Sequence, residues 1–375
     1  MSTQFDEREI CELLARLVAI DSVNPSLVAG GAGEAEIARA VAEWLEGNGL
    51  LAEYHDLGGA RANVVARVPG RDDGRSLMLN AHLDTVGIGG DDAGLSARVD
   101  GGRVYGRGAL DMKGSLAVIM LVAAAVAKRP LGGDLVLTAV ADEEAYSIGT
   151  EAVAKSVTAD AAIVVEPTEL QLAVAHRGFV WLEVATEGVA AHGSRYDLGV
   201  DAIAKMGPVL VAIAELDERL RGRAEPESLL GRASVHASLI EGGTDLATYP
   251  DRCAVKVERR TLPGETLDQV EAELAATADG ATVKTLFARE PLAVAEDEPI
   301  VATLIEQATP ILGRPPPIVA APFWTDAALL AAAGIPAVVF GPGGAGLHTD
   351  VEWVEMDDLV KLAQIVLATA TAFCR

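Results

Sequence analysis

The alternation of apolar and polar positions divides the chain into regions with two different orders of predicted elements. Up to about residue 176, helical spacing in residues 5–19 and 34–46 is followed by short apolar runs that predict buried strands. From 178 to 290 the order changes to strand, helix, strand, strand, helix, strand, and the first pattern resumes after Pro291. Because strands that alternate with helices favour a parallel sheet, we predict an α/β domain with a mostly parallel sheet flanked by helices.

The length of the chain agrees with two domains, since 375 residues exceed the size at which one core keeps growing. Residues 1–177 and 291–375 are predicted to form one discontinuous catalytic domain. The βαββαβ order of residues 178–290 is that of a ferredoxin-like α+β domain, so we predict that it is inserted into the first.

Composition and charge restrict the classes of partner. A formal net charge of −25 argues against nucleic acid and anionic membrane surfaces. The longest apolar run, residues 116–127, ends at Lys128 and is too short to span a bilayer. Three widely separated cysteines and an N-terminus without an apolar core favour a reducing compartment, so we expect a cytoplasmic protein without a membrane partner.

Histidines and carboxylates lie where the predicted strands of the first pattern end. Such residues converge, because ligands of open α/β sheets bind outside the carboxyl ends of the strands. Each one alone has an ordinary explanation, such as a helix cap for Asp111 or a solvated strand end for Glu166. Together they predict a divalent metal site, and the residues in question are His82, Asp84, Asp111, Asp142, Glu143, Glu144, Glu166 and His348.

The run of three acidic residues 142–144 is the strongest single signal. It directly follows a mostly apolar strand, and adjacent carboxylates at a buried strand end repel each other unless cations are present. Zinc suits a mixed set of imidazole and carboxylate ligands. Asp84 is a candidate to orient the ring of His82 through its second nitrogen. These features predict a two-metal amide hydrolase.

Seven short motifs in a fixed order resemble a known family. The chain is similar to the acetylornithine deacetylase, succinyl-diaminopimelate desuccinylase, aminoacylase and carboxypeptidase G family of co-catalytic zinc hydrolases. The resemblance covers nearly the whole chain. Its motifs are His82-Leu-Asp84, Gly108-Ala-Leu-Asp111-Met-Lys-Gly114, Asp142-Glu143-Glu144, Glu166-Pro167, Ala191-His192-Gly-Ser194, Arg260-Thr-Leu-Pro-Gly264 and Gly346-Leu-His348.

The resemblance implies a role for each matching residue. Asp111 would bridge two Zn²⁺ ions, for which Co²⁺ or Mn²⁺ can substitute. The inserted domain would be a lid that joins a homodimer, with His192 reaching the active site of the partner subunit. Glu143 would be the general base for a metal-activated water. The remaining ligands would be His82 and Glu166 for one metal, and Glu144 and His348 for the other.

The substrate follows less directly from the sequence. The family's usual lid asparagine is replaced by Ala247, which leaves the substrate preference open. We predict that the enzyme removes an acyl group from an N-acyl amino acid, with Arg260 holding the substrate carboxylate. A dipeptidase or carboxypeptidase acting on short peptides, and a succinyl-diaminopimelate desuccinylase, are the alternatives with the same metals. A metal-binding dimer without catalysis is disfavoured because Glu143 is retained.

Overall fold

The computed structural model describes residues 5–89, 92–223 and 228–375. These residues form two compact units. The first contains residues up to Val174, Val294–Ala321 and Thr325–Arg375, and the second contains Ala175–Ala293 with Pro322–Trp324. The predicted insertion of residues 178–290 lies inside the second unit, whose long segment begins and ends three residues further out on each side.

The helices carry apolar residues on the sides that they bury. The helix α1 has Ile10, Leu13, Leu14, Leu17 and Val18 on its buried face, as its spacing predicts. In chain order the helices are α1 (Glu7–Val18), α2 (Ala35–Gly47), α3 (Gly114–Lys128), α4 (Ile148–Ala154), α5 (Ala202–Arg221), α6 (Leu267–Thr277), α7 (Pro299–Leu312), α8 (Ala327–Ala332) and α9 (Met356–Phe373).

Within the described residues the strands belong to three sheets. In chain order they are β1 (Leu51–Gly58), β2 (Arg61–Val68), β3 (Leu77–His82), β4 (Arg98–Asp100), β5 (Arg103–Tyr105), β6 (Leu135–Val140), β7 (Ala161–Val164), β8 (Leu172–His176), β9 (Gly178–Glu187), β10 (Ser234–Gly242), β11 (Arg252–Thr261), β12 (Thr282–Arg289), β13 (Leu292–Ala293), β14 (Ile318–Ala321), β15 (Ala337–Val339), β16 (Gly344–Ala345) and β17 (Trp353–Glu355).

The main sheet has the order β1-β2-β6-β3-β7-β15-β8-β13, and β14 pairs with β8. Its central strands β6, β3, β7 and β15 run parallel to one another. The outer strands β1, β2 and β8 pair antiparallel. The predicted α/β class is therefore confirmed, with the parallel part at the centre of the sheet.

The helix α3 packs in the core of the first unit with α1 and α9. With the preceding turn Ala109–Lys113 it forms a 20-residue helical segment that is long and apolar enough to cross a membrane by composition alone. However, 83% of the most apolar 18-residue stretch of this segment is buried inside the protein. Burial of this kind is typical of a core helix.

The second unit has the predicted order β9-α5-β10-β11-α6-β12. Its antiparallel sheet has the strand order β10-β11-β9-β12, the arrangement of a ferredoxin-like domain. Both helices pack on one face of this sheet around a second apolar core. At the ends of the inserted segment, β13 pairs antiparallel with the last two residues of β8.

One predicted loop is partly wrong. Residues 87–102, of which 90 and 91 lie outside the described residues, were expected to be irregular because they are rich in glycine and aspartate. Instead Arg98–Asp100 forms β4, the edge of a small sheet with the order β16-β17-β5-β4. Exposed residues make up this strand, so it carries no apolar pattern by which the sequence could reveal it.

Candidate metal centre

The candidate ligands lie at the carboxyl ends of neighbouring parallel strands. His82 is the last residue of β3 and pairs in register with Val140, the last residue of β6. Glu143 and Glu144 lie three and four residues after the end of β6, and Glu166 lies two residues after the end of β7. The order of strands thus brings residues that are far apart in sequence to one edge of the sheet.

Asp111 lies between the two histidines. Its Oδ1 is 2.9 Å from His82 Nε2, and its Oδ2 is 3.5 Å from His348 Nε2. His348 Nε2 is also 2.9 Å from Glu144 Oε2, and His82 Nε2 is 3.8 Å from Glu166 Oε1. One carboxylate therefore faces two groups of potential ligands, as expected for a residue that bridges two ions.

The donor set fits divalent cations. Ligand atoms of His82, Asp111 and Glu144 lie within 4.8 Å of one another, and so do those of His82, Glu143 and Glu166. Within the described part of the chain, Glu144 Oε1 and Glu166 Oε1 are buried without a hydrogen-bond partner. Buried carboxylate oxygens without a partner are costly, and a cation would satisfy them. Imidazole and carboxylate together suit zinc and its neighbours in the first transition series.

The charged groups of this cluster shift one another's pKa values. Burial raises the pKa of Glu144 and Glu166, and repulsion from Asp111 raises both further. Burial alone would raise the pKa of Asp111, but hydrogen bonds from His348 and His82 lower it. The same contacts with Asp111 and Glu144 raise the pKa of His348 to about 10. The carboxylates of this cluster therefore strongly favour a positive charge beside them.

Glu143 lies beside His82 and Glu166 in the cluster. Burial raises its pKa well above the usual range, with further contributions from the charges of Glu166 and Asp326. Asp326 was not predicted from the sequence. It is buried at the start of α8, accepts a hydrogen bond from Thr150 Oγ1 at 2.6 Å, and burial raises its pKa to about 6.

Asp84 holds the turn that carries two of the candidate residues. Its carboxylate accepts hydrogen bonds from the backbone N–H groups of Glu143 and Glu144, each at 3.1 Å. That Asp84 orients the ring of His82 stays a prediction. His82 Nδ1 is 2.9 Å from the carbonyl oxygen of Asp84 and 3.5 Å from its carboxylate, so the backbone is the nearer partner.

Behind Asp84 lies a buried polar network that sequence reasoning missed. Asn24 Nδ2 donates to Asp84 Oδ2 at 2.7 Å and to Asp142 Oδ1 at 2.9 Å. Arg61 donates to Asn24 Oδ1, Asp142 Oδ1 and Glu34 Oε1, each at 2.8 Å. Asp142 thus belongs to this network, although it is part of the acidic run 142–144. The guanidinium of Arg61 is shared by the carboxylates of Asp142 and Glu34.

The backbone around Asp111 is held by Glu352, another residue that sequence reasoning missed. Its carboxylate accepts hydrogen bonds from the N–H groups of Gly108, Leu110 and Asp111 at 2.8–3.0 Å. Arg107 pairs with the same carboxylate at 2.7 Å. These bonds replace the missing helical partners of the turn and fix the position of Asp111.

The remaining two predicted residues belong to the second unit. His192 is exposed, with Nδ1 2.8 Å from Ser194 Oγ, and forms a bridge to Thr248. Arg260 is the second-last residue of β11 and lies on the sheet face away from the helices, where it pairs with Glu258 at 3.1 Å. Arg259 points the other way and is buried against Glu265 and Glu273, so strand alternation separates the two arginines as expected.

The fold and this cluster define a class, the metal-dependent hydrolases that act on amide bonds. Residues 78–372 match Peptidase family M20/M25/M40, and the chain belongs to that family. It is 30% identical over 354 residues to acetylornithine deacetylase of Myxococcus xanthus, covering 88% of this chain and 90% of the relative.

Two further proteins are similar to this chain, one in sequence and one in fold. N-formyl-4-amino-5-aminomethyl-2-methylpyrimidine deformylase of Bacillus subtilis (strain 168) is 27% identical over 376 residues, covering 89% of this chain and 88% of the relative. The crystal structure of aminopeptidase PepT from Bacillus cereus superposes with a TM-score of 0.82 at 20% identity, covering 99% of each chain. The family match and the deacetylase relative thus confirm the family predicted from the sequence, while the names of these similar proteins indicate different substrates.

Proposed function

We propose that this metal-dependent hydrolase removes the acyl group from N-acyl amino acids. The observation that carries the proposal is the cluster in which Asp111 faces both His82 and His348, with Glu143 adjacent. The relation to an acetylornithine deacetylase along most of the chain favours an acylated amino acid as substrate. Arg260, a guanidinium on the open face of the second unit's sheet, is a suitable partner for its carboxylate.

The proposed cofactors are two Zn²⁺ ions, with Co²⁺ or Mn²⁺ able to substitute. His82 and Glu166 would hold one ion, Glu144 and His348 the other, and Asp111 both. When bound, such ions polarise a carbonyl and acidify water.

Within this arrangement the side chains of the protein have separate tasks. Glu143 accepts the proton of the attacking water on its carboxylate and returns it to the leaving nitrogen. Asp84 keeps the backbone of Glu143 and Glu144 in place through its two hydrogen bonds.

The substitution Glu143→Gln tests this assignment. It keeps the shape of the side chain but removes the base, so turnover of N-acetyl amino acids should fall by several orders of magnitude. The content of two metals per chain, measured by mass spectrometry, should not change. Glu169→Gln is the matched control, since Glu169 is exposed and outside the cluster. Loss of metal together with activity would show that Glu143 is a ligand and would overturn its assignment as the base.

The substrate is tested by turnover on N-acetyl, N-succinyl and N-formyl amino acids and on dipeptides, with zinc and with cobalt. The proposal expects hydrolysis of N-acyl amino acids. Hydrolysis of dipeptides alone would instead establish the dipeptidase or carboxypeptidase alternative, and selective hydrolysis of succinylated substrates would establish a desuccinylase.

A homodimer joined through the second unit is also part of the proposal. The strand β10 is the edge of its sheet and exposes Leu239 and Ile240 at 65% and 56% of their surface. A long edge strand with exposed apolar residues invites pairing with another chain. A dimer mass in light scattering supports this proposal, and a monomer at micromolar concentration refutes it. The cytoplasmic location stays a prediction.

A further inference from the structure

Four aromatic rings cluster on the open face of the second unit's sheet. The chain has only 4 tryptophans and 6 phenylalanines, and two of each meet here. Neighbouring ring centroids lie 5.0–6.2 Å apart in tilted or edge-to-face arrangements. We call this cluster the aromatic surface, and its members are Phe179, Trp181, Phe287 and Trp324.

Strand alternation explains which way the rings point. On β9, Val180 and Leu182 face the core with α5 and α6, so Phe179 and Trp181 face the opposite side. Phe287 of β12 pairs in register with Trp181. Trp181 is 37% exposed although it belongs to the centre of a four-stranded sheet. A large ring that is exposed at such a position is available to a ligand.

Two arginines flank the rings symmetrically. Phe179 pairs in register with Arg260 on one neighbouring strand and with Arg289 on the other. The guanidinium carbon of Arg260 lies 5.4 Å from the centroid of Phe179, and that of Arg289 lies 4.4 Å from the centroid of Phe287. In a protein with 55 acidic and 30 basic residues, two cations beside stacked rings form an unusual local environment.

A carboxylate fixes part of this arrangement. Glu258 pairs in register with Trp181 and accepts a hydrogen bond from its Nε1 at 3.2 Å. The same carboxylate oxygen is 3.1 Å from Arg260. The indole of Trp181 and the guanidinium of Arg260 are therefore held in position before any ligand binds. This order lowers the loss of side-chain entropy on binding.

We propose that the aromatic surface binds the aromatic part of an anionic substrate, while an adjacent guanidinium pairs with its carboxylate. As a substrate site this inference rests on the proposed deacylase activity, and it specifies N-acyl amino acids with aromatic side chains. A flat ring gains stacking on Trp181 and Phe287, and a carboxylate gains a charge-assisted hydrogen bond. An aliphatic substrate gains only the charge-assisted hydrogen bond of its carboxylate.

The first test is the ratio of kcat/KM for N-acetyl-L-phenylalanine to that for N-acetyl-L-alanine. Trp181→Leu keeps an apolar side chain but removes the ring, and should lower this ratio about five- to tenfold. Tyr54→Leu is the matched control, because Tyr54 is 36% exposed beside Arg39 on the other unit. This control should leave the ratio unchanged.

The second test measures binding without turnover. Calorimetry compares 3-phenylpropionate with butanoate, which has the same carboxylate but no ring. Wild-type protein should bind the aromatic acid at least about tenfold more tightly, and both Trp181→Leu and Phe287→Leu should remove most of this preference. Two variants keep the test valid if one of them fails to fold.

The outcomes separate this inference from the proposed function. If no N-acyl amino acid is hydrolysed but 3-phenylpropionate binds selectively, the deacylase proposal fails and the aromatic surface remains a binding site. Equal affinity for both acids, or a lower melting temperature in the variants with unchanged selectivity, overturns the inference, because the rings would then only stabilise the sheet.

Discussion

Replacing Asn24 by alanine should destabilise the first unit far more than the loss of one ordinary hydrogen bond. Its amide contacts three charged partners, donating to Asp84 and Asp142 and accepting from Arg61. Hydrogen bonds to charged groups contribute about 1.5–3 kcal/mol each. The plain sum is an upper bound because the three partners are coupled, so we expect the free energy of unfolding to fall by about 3–5 kcal/mol.

Asn80→Ala is the matched control. Asn80 is also buried, but its amide donates to the neutral hydroxyl of Thr138 at 3.0 Å. Its loss should cost about 1–2 kcal/mol.

The assay can be confined to one unit. The chain has 4 tryptophans, of which Trp181 and Trp324 belong to the second unit and Trp44 and Trp353 to the first. With both tryptophans of the second unit replaced by phenylalanine, the fluorescence change in urea reports unfolding of the first unit alone. Asn24→Ala should also weaken zinc binding by about 10- to 100-fold in chelator competition, since partners behind metal ligands have effects of that size.

Equal destabilisation by Asn24→Ala and Asn80→Ala would refute this reasoning. It would mean that water replaces the amide of Asn24 without a cost in stability, and that Asp84 does not need the hydrogen bond from Asn24. Strong destabilisation with unchanged zinc affinity would show instead that the network stabilises the fold but does not position the metal site.

The other predictions concern charge, substrate and assembly. Burial and the nearby Asp84 raise the pKa of Glu34 from 4.5 to about 7, although Arg61 opposes the shift. The protonated form of Glu34 therefore contributes stability that is present below about pH 4.5 and lost as the pH rises through about 7. In Glu34→Gln the melting temperature should depend less on pH over that range. Arg260→Ala should lower kcat/KM about ten- to a hundredfold for N-acetyl amino acids but little for the matching amides; equal losses would show that Arg260 is structural. Mixing Glu143→Gln and His192→Ala chains should restore activity if the site is shared between subunits, and no recovery after confirmed exchange would contradict it.

Much of the fold follows from local patterns. The buried central strands are short apolar runs, and the longest apolar run, residues 116–127, lies within α3 (Gly114–Lys128). In contrast, β1 was not predicted: Leu51 is 80% exposed and most of its neighbours are exposed or half-buried, so no face of this edge strand is marked by apolar residues. Pairing with β2 and contact with α2 stabilise it, and neither is visible in a single segment.

The candidate site divides in the same way. Residues at the ends of apolar strands could be identified because strand order alone brings them together. The residues behind them could not. Asn24, Arg61 and Glu34 lie in a turn, at a strand start and before a helix, and each has an ordinary local explanation. Their importance comes from contacts that span 27–118 residues in sequence, which only the folded chain shows.

The insertion of the second unit has an evolutionary consequence. Its two ends lie side by side, since Leu292 and Ala293 pair with His176 and Ala175. A segment whose ends already meet can be lengthened, shortened or exchanged without forcing the flanking chain to close a longer loop. Arg260 and three rings of the aromatic surface lie on this segment, whereas Trp324 and the cluster around Asp111 do not. Selection can therefore alter the segment that we propose to recognise the substrate without changing the cluster of candidate metal ligands, which is one physical route by which related enzymes acquire different substrates.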